Sequence, residues 1–117
     1  MKVMHRPDDV VFDSRPYDMD LFVDHSDEEI VNVSIFFKTD AMTHFIEHHL
    51  TKTRARYRFR FNPAITPAES ITYFFVVTLN DGSVHAAPLN KNGYIDVVER
   101  KLVDPVEYFK RRLASRR

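Results

Sequence analysis

Residues 71–79 constrain the fold more than any other stretch of the chain. They are almost all β-branched or aromatic, a composition that favours a strand with two apolar faces. One face carries Ile71, Tyr73, Phe75, Val77 and Leu79. Asn80-Asp81-Gly82 then predicts a tight turn, because these residues tolerate left-handed backbone geometry, and a second strand resumes at Val84. The segment therefore predicts a β-hairpin in the middle of a sheet.

Composition limits what else the chain can be. With 117 residues, 44% of them apolar, it can close one core, so we expect a single domain. Its 2 glycines leave no material for a glycine-rich phosphate loop, which argues against most nucleotide-dependent enzymes. The absence of cysteine removes disulfides and thiolate sites and leaves the redox compartment open. We expect no cofactor.

Hydropathy bears on membranes and export. The sequence has no run of eighteen apolar residues and no basic segment followed by an apolar one. We therefore expect neither membrane insertion nor a signal peptide in the chain as given. The compartment stays open: periplasmic or cell-surface if a signal peptide was removed, and otherwise cytoplasmic.

Two further segments predict strands with charged outer faces. In residues 17–24, alternate apolar positions are interrupted by Asp18, Asp20 and Asp24. In the other segment the cationic face consists of Arg54, Arg56, Arg58 and Arg60. The interleaved Tyr57, Phe59 and Phe61 point the opposite way and belong to the core, so we interpret the arginine row as a solvated face rather than a nucleic-acid platform.

The charge is unevenly distributed along the chain. Residues 1–40 hold ten acidic and four basic residues, whereas residues 41–117 hold seven acidic and thirteen basic ones. The two parts therefore carry −6 and +6. We expect the aspartate and arginine rows to lie on neighbouring antiparallel strands, where they cancel.

Residues 31–39 predict another strand, and its outer face is apolar. Val31, Val33, Ile35 and Phe37 are expected in the core, so Phe36 must point outward. On a neighbouring strand Phe74 and Val76 point outward too, with His85 on the strand after it. We predict that Phe36, Phe74, Val76 and His85 form an interaction patch, covered either by the C-terminal helix or by another chain.

The remaining segments are weaker signals. Residues 1–9 are interpreted as an N-terminal tail, with a short edge segment at 10–12, and residues 42–50 as a strand rather than a short helix. Residues 94–98 predict a last strand or an irregular continuation. Asp104-Pro105-Val106-Glu107 predicts a helix start, since Asp caps, Pro fits the first turn and Glu reaches back. The helix carries a narrow stripe of Val106, Phe109 and Leu113.

Several short strands joined by turns and followed by one helix predict an all-β, antiparallel β-sandwich with a short C-terminal α-helix. We place the sandwich at residues 10–103 and the helix at 104–117. Across residues 54–88, the run from Tyr57-x-Phe59-x-Phe61 through a proline-containing corner to the hairpin resembles immunoglobulin-like and fibronectin type III-like modules. In that resemblance Tyr73 matches the corner tyrosine, whose hydroxyl bonds backward to the backbone.

One motif suggests metal chemistry. His44-Phe45-Ile46-Glu47-His48 resembles the His-x-x-Glu-His pattern of the inverted zinc proteases, which makes His44 and His48 weak metal candidates. The pattern works only on a helix, where both histidines share a face. On a strand the two would be about 13 Å apart, so we expect solvent-facing histidines instead.

The sequence thus favours a non-catalytic binding or protein-interaction module. The resemblance implies a piece of a larger exported bacterial protein or complex, bound to a protein partner or a second copy through the apolar sheet face. We expect no nucleic-acid partner. A carbohydrate-binding module, with a glycan as ligand, and a small metal-dependent hydrolase are the alternatives.

Overall fold

The computed structural model describes residues 2–115, which form ten strands, one 3₁₀ turn and one α-helix. The strands are β1 (Lys2–Met4), β2 (Val11–Phe12), β3 (Tyr17–Asp24), β4 (Ile30–Thr39), β5 (Ile46–His49), β6 (Lys52–Thr53), β7 (Arg56–Phe61), β8 (Ser70–Leu79), β9 (Val84–Ala87) and β10 (Val98–Val103). The 3₁₀ turn is Asp27–Glu29, and α1 is Pro105–Ala114. The chain is therefore mostly β, with one short C-terminal helix, as predicted.

The strands form two sheets. One has four strands in the order β1-β3-β7-β6. The other has six: β2-β10-β8-β4-β5 lie side by side, and β9 pairs with the C-terminal half of β8. Within the described residues the pairings are antiparallel except that of β2 with β10. The prediction that residues 71–79 lie in the middle of a sheet is confirmed.

The hairpin forms as its sequence predicts. Gly82 adopts a φ of 86°, a conformation that costs glycine little, and its N–H donates to the Leu79 carbonyl. The Asp81 carboxylate accepts from the Ser83 N–H at 2.8 Å, which holds the chain in the turn. These two contacts reverse the chain within three residues and bring Val84 opposite Thr78.

One core lies between the sheets. Alternation places one side chain of every two inward, and the inward residues of β8 are all buried. The four-stranded sheet contributes Tyr17, Met19, Leu21, Tyr57 and Phe61 to the same cluster. Alternation alone therefore fixes most of the hydrophobic core.

The aspartate and arginine rows meet as predicted. β3 pairs with β7 in a register that sets Asp18 opposite Arg60 and Asp20 opposite Arg58. The two carboxylates accept from guanidinium Nε atoms at 2.7 Å in both pairs. The hydrogen bonds from Arg60 hold the pKa of Asp18 below its usual value. Asp24 has no partner on β7, because the part of β3 that pairs with β7 ends at Leu21. It lies opposite Lys2 of β1 instead.

The predicted cationic strand is too long at its start. Arg54 and Ala55 have φ angles of 52° and 68°, so they form the turn between β6 and β7 rather than part of a strand. A strict period of two describes which way side chains point, but it does not reveal where a chain reverses. Only Arg56, Arg58 and Arg60 therefore belong to the ladder.

Three other expectations are corrected. Residues 2–4, which were predicted to belong to a tail, form the edge strand β1 and pair with β3. A local pattern does not predict this strand because its pairing partner is distant in sequence. The last strand runs over residues 98–103 rather than 94–98; Ile95 makes only an isolated bridge to Leu89. Residues 42–50 contain a strand, as favoured, but only at residues 46–49.

A bulge displaces one expected core residue. The register of β4 on β8 shifts between Ile30 and Asn32, so Val31 drops out of the ladder and is exposed. Ile30 packs against the core in its place. From Val33 onward, Val33 and Ile35 are buried as expected and Phe37 is half-buried against the core, while the outward-facing Ser34 is buried as well.

A hydrogen-bonded chain of side chains ties β1 to the two sheets. His5 Nδ1 lies 2.7 Å from the Asp20 carbonyl, which can only accept, so Nδ1 carries the proton. His5 Nε2 therefore accepts from the Tyr73 hydroxyl at 2.7 Å. The Tyr73 oxygen in turn accepts from Tyr17, 3.0 Å away. Tyr73 thus bonds to side chains, and the expectation of a corner tyrosine bonded to the backbone is wrong.

Removal of the Tyr73 hydroxyl is expected to destabilise the domain. Tyr73→Phe leaves His5 Nε2 and the Tyr17 hydroxyl without their partner in a buried site, at a cost of about 1 to 3 kcal/mol. Chemical denaturation measures the change. Tyr94→Phe is the control, since Tyr94 is 72% exposed. Equal midpoints for wild type and Tyr73→Phe would contradict the role of the chain.

The same chain predicts a pH dependence of stability. Burial lowers the pKa of His5 below 6.5, against the opposing influence of Asp20 and Asp8, while Arg100 lowers it further. Below pH 6.5 the unfolded chain therefore binds a proton that the folded chain does not. Stability is full above that pH and is lost as pH falls from 6.5 toward the folded-state pKa. Denaturation midpoints of His5→Gln should lack this component, and a difference from wild type that does not vary with pH would contradict it.

Candidate interaction face

Two stacked phenylalanines mark the outer face of the six-stranded sheet, the side turned away from the core. Phe36 on β4 and Phe74 on β8 are direct cross-strand partners. Their rings lie 5.1 Å apart between centroids and within 6° of parallel. Both alternate with fully buried neighbours, Ile35 and Phe75, so the strands that build the core also force these rings outward.

The stack extends into a larger apolar patch, which we define as Phe36, Phe45, Phe74 and Val76. Phe45 meets Phe74 edge-on at 5.3 Å. Lys38 Nζ lies 5.0 Å from the centre of the Phe45 ring, on the same side of the sheet. Val76 follows Phe74 along the outer face of β8. These side chains are half-buried or exposed although they are apolar, which is unusual for a solvated sheet face.

A groove of about 540 Å³ runs beside the patch. Its lining includes Lys38, Asp40, Phe45, Thr72, Val97 and Glu99. The Asp40 carboxylate accepts from the N–H groups of Glu69 and Ser70, and these bonds hold its pKa below the usual value. Asp40 is therefore ionised at neutral pH, and the groove places two acidic groups and Lys38 beside an apolar wall.

A polar cluster adjoins the patch on the side of edge strand β5. Ser34, which is 0% exposed, donates to Glu47 Oε2 at 2.8 Å and accepts from Asn32 Nδ2 at 3.0 Å. His49 Nδ1 lies 2.8 Å from Asn32 Oδ1, so it donates there. The sequence does not predict this cluster. The strand period gives the outward positions of Asn32 and Ser34, but it does not give their pairing with β5.

His85 does not join the patch. β9 pairs with β8 so that His85 lies opposite Val77, a fully buried residue of the inner face, whereas Ala86 lies opposite Val76. The turn sets which residues of β9 face outward, and it places His85 on the side opposite the phenylalanines. Of the four predicted residues, Phe36, Phe74 and Val76 share the outer face, and His85 does not. Phe45, which was not predicted, lies beside them.

The two metal-candidate histidines lie in non-helical structure. His44 precedes β5 and His48 lies within it, so the helical arrangement that the motif requires is not present. His48 instead contacts the Phe59 ring at 5.2 Å. Among the described residues, no cluster of three or more His, Cys, Asp or Glu side chains is placed to hold a metal ion.

The C-terminal helix does not bury its apolar stripe, which we define as Val106, Phe109 and Leu113. These residues are 61%, 52% and 64% exposed, and no described residue of α1 is buried. The ring of Phe12 on β2 contacts Tyr108 and Phe109 at 5.6 Å and 6.0 Å. None of the helices in residues 2–115 is long and apolar enough to cross a membrane.

Comparison with known proteins does not assign a family. The chain matches no protein-family model, and no curated protein matches it at a significant level. Function must therefore be inferred from the geometry and chemistry of the outer face.

Proposed function

We propose that this protein is a non-catalytic interaction module that binds a protein partner through the outer face of the six-stranded sheet. The observation that carries the proposal is the Phe36–Phe74 stack with Phe45 set edge-on against it. Aromatic side chains bring large apolar area and little conformational entropy to an interface, so they are enriched at binding hot spots. A polar rim surrounds the apolar patch, with Lys38 and Glu47 beside it.

The opposite surface of the molecule supports this choice by contrast. On the outer face of the four-stranded sheet, Asp18 and Asp20 already pair with Arg58 and Arg60. Those charges satisfy each other and stay partly solvated, and the exposed Met4 and Phe22 lie at the end of that row. On the outer face of the six-stranded sheet the exposed Phe45 instead belongs to a cluster of three rings with Phe74 and Phe36.

The polar cluster supports the non-catalytic part of the proposal. In an enzyme with a serine nucleophile, a histidine accepts the hydroxyl proton through one ring nitrogen. A carboxylate accepts a hydrogen bond from the other ring nitrogen and so orients the ring. Here Ser34 donates directly to Glu47. His49 Nδ1 lies 3.1 Å from Ser34 Oγ, but it carries the proton that it donates to Asn32 Oδ1, so it cannot accept the hydroxyl proton. Ser34 is also completely covered, so a substrate could not reach its oxygen. The cluster satisfies a buried hydroxyl and braces β5.

We also propose that the fold is immunoglobulin-like, as its sequence resemblance implies. The supporting observation is strand order: β1-β3-β7-β6 opposite β4-β8-β9 corresponds to the ABED and CFG sheets of such domains. The chain departs from antibody domains in having no cysteine and no tryptophan. By analogy with such modules, we assign it a place in a larger exported bacterial protein or complex.

Site-specific photo-crosslinking tests the proposed surface. Phe45 is replaced by p-benzoylphenylalanine in cells that express the protein, and Phe22, exposed on the four-stranded sheet, is the matched control. The two phenylalanines are 38% and 42% exposed in the uncomplexed chain. We expect a discrete protein adduct from position 45 and none from position 22.

The alternatives give different results. Equal adducts from both positions, or none from either, would contradict a protein partner on the outer face. If no adduct forms and the protein binds on a glycan array through Phe45, the carbohydrate-binding alternative replaces the proposal.

A further inference from the structure

The C-terminal helix rests on edge strand β2 and turns most of its apolar stripe to solvent. Phe12 of β2 contacts the rings of Tyr108 and Phe109. Tyr108 lies about 130° around the helix from the centre of the stripe, so β2 supports the helix mainly from another side. Val106 and Leu113 remain exposed. The stripe is therefore presented on the outside of a helix that another contact already holds in place.

Positive charge borders the stripe on both flanks. The last eight residues of the chain contain five basic residues and no acidic one. Lys110 lies about 70° from the centre of the stripe, and Arg112 lies about 90° from it on the other flank. Arg112 donates to the Tyr108 hydroxyl at 3.1 Å, which keeps it on that flank. The exposed side of α1 therefore combines apolar groups with cations that run beside them.

An anionic lipid surface matches this combination of groups. Its acyl chains can take up apolar side chains, and its charged headgroups lie just above them, where flanking lysine and arginine side chains end. A nucleic acid would pair with the cations but would leave Val106 and Leu113 in water. A purely apolar protein groove would cover the stripe but would remove water from Lys110 without giving it a partner. Charge and apolar area together therefore favour the lipid surface.

We propose that α1 lies flat on an anionic lipid surface, with its apolar stripe at the boundary between headgroups and acyl chains and with Lys110 and Arg112 at the level of the lipid phosphates. This inference goes beyond the proposed function, since it concerns α1 and not the outer face of the six-stranded sheet. The helix holds the domain at the membrane surface without crossing it. Three apolar residues give a weak and reversible contact, so the charge of the lipid determines which surfaces the helix binds.

Flotation of the full chain with lipid vesicles tests the contact. We expect binding to vesicles that mix phosphatidylcholine and phosphatidylglycerol at about two to one, and binding at least about tenfold weaker to phosphatidylcholine alone. Leu113→Ser removes apolar area from the stripe and should weaken binding to the anionic vesicles about fivefold. Ile65→Ser makes the same kind of change at an exposed loop position and should bind as wild type does.

Two neighbouring cations provide a matched pair of charge variants. Lys110→Gln and Arg111→Gln each remove one positive charge, but Arg111 lies about 170° from the centre of the stripe, on the far side of the helix. Lys110→Gln should weaken binding to the anionic vesicles about fivefold. Arg111→Gln should weaken it only about twofold, because its charge is roughly one Debye length further from the headgroups. Circular dichroism establishes that the variants stay folded.

A fluorescent reporter gives a measurement that keeps the stripe apolar. Leu113→Trp introduces the only tryptophan of the chain, and its emission should shift to shorter wavelength with anionic vesicles and be quenched by brominated acyl chains. Solvent-exposed emission in the presence of anionic vesicles, equal losses from Lys110→Gln and Arg111→Gln, or tighter binding to a DNA oligonucleotide than to the vesicles would overturn the proposal. None of these results depends on the crosslinking at position 45, so the two proposals fail separately.

Discussion

The pairing of β4 with β8 is the constraint on which the rest of the structure depends. Both strands have ten residues, and they stay in register from Asn32 to Thr39 after a single bulge. One side of this pair supplies Ile35, Phe75 and their neighbours to the core. Because side chains alternate, the other side must display the residues between them, and two of those are phenylalanines.

The solvent-facing sides of the two sheets differ in chemistry, so the molecule has two unlike surfaces. On the four-stranded sheet, alternation displays aspartate and arginine in a register that pairs them. On the six-stranded sheet it displays aromatic rings, which stack on each other but are not covered by α1. The same strand geometry therefore produces one surface of mostly paired charges, with Met4 and Phe22 exposed at its end, and one surface of clustered aromatic rings.

Much of this arrangement follows from the sequence by simple periodicity. The strands at 17–24 and 71–79, the Asp81-Gly82 turn, the capped helix and the paired charge rows all depend on local patterns or on matching charges. The failures share a cause. His85 lies on the inner face because the turn fixes the parity of β9, and Val31 is exposed because a bulge interrupts β4. The His5–Tyr73–Tyr17 chain and the Ser34 cluster join distant segments, so no local pattern could reveal them.

We propose that the outer face of the six-stranded sheet is covered by a partner in the working protein. The chain has no tryptophan, so Phe45→Trp introduces a single fluorescent reporter on that face, and Phe22→Trp provides one on the opposite sheet. We expect emission from position 45 to shift to shorter wavelength as protein concentration rises or as the crosslinked partner is added, while emission from position 22 stays constant. An emission maximum at position 45 that remains typical of solvent-exposed tryptophan under both conditions would contradict it.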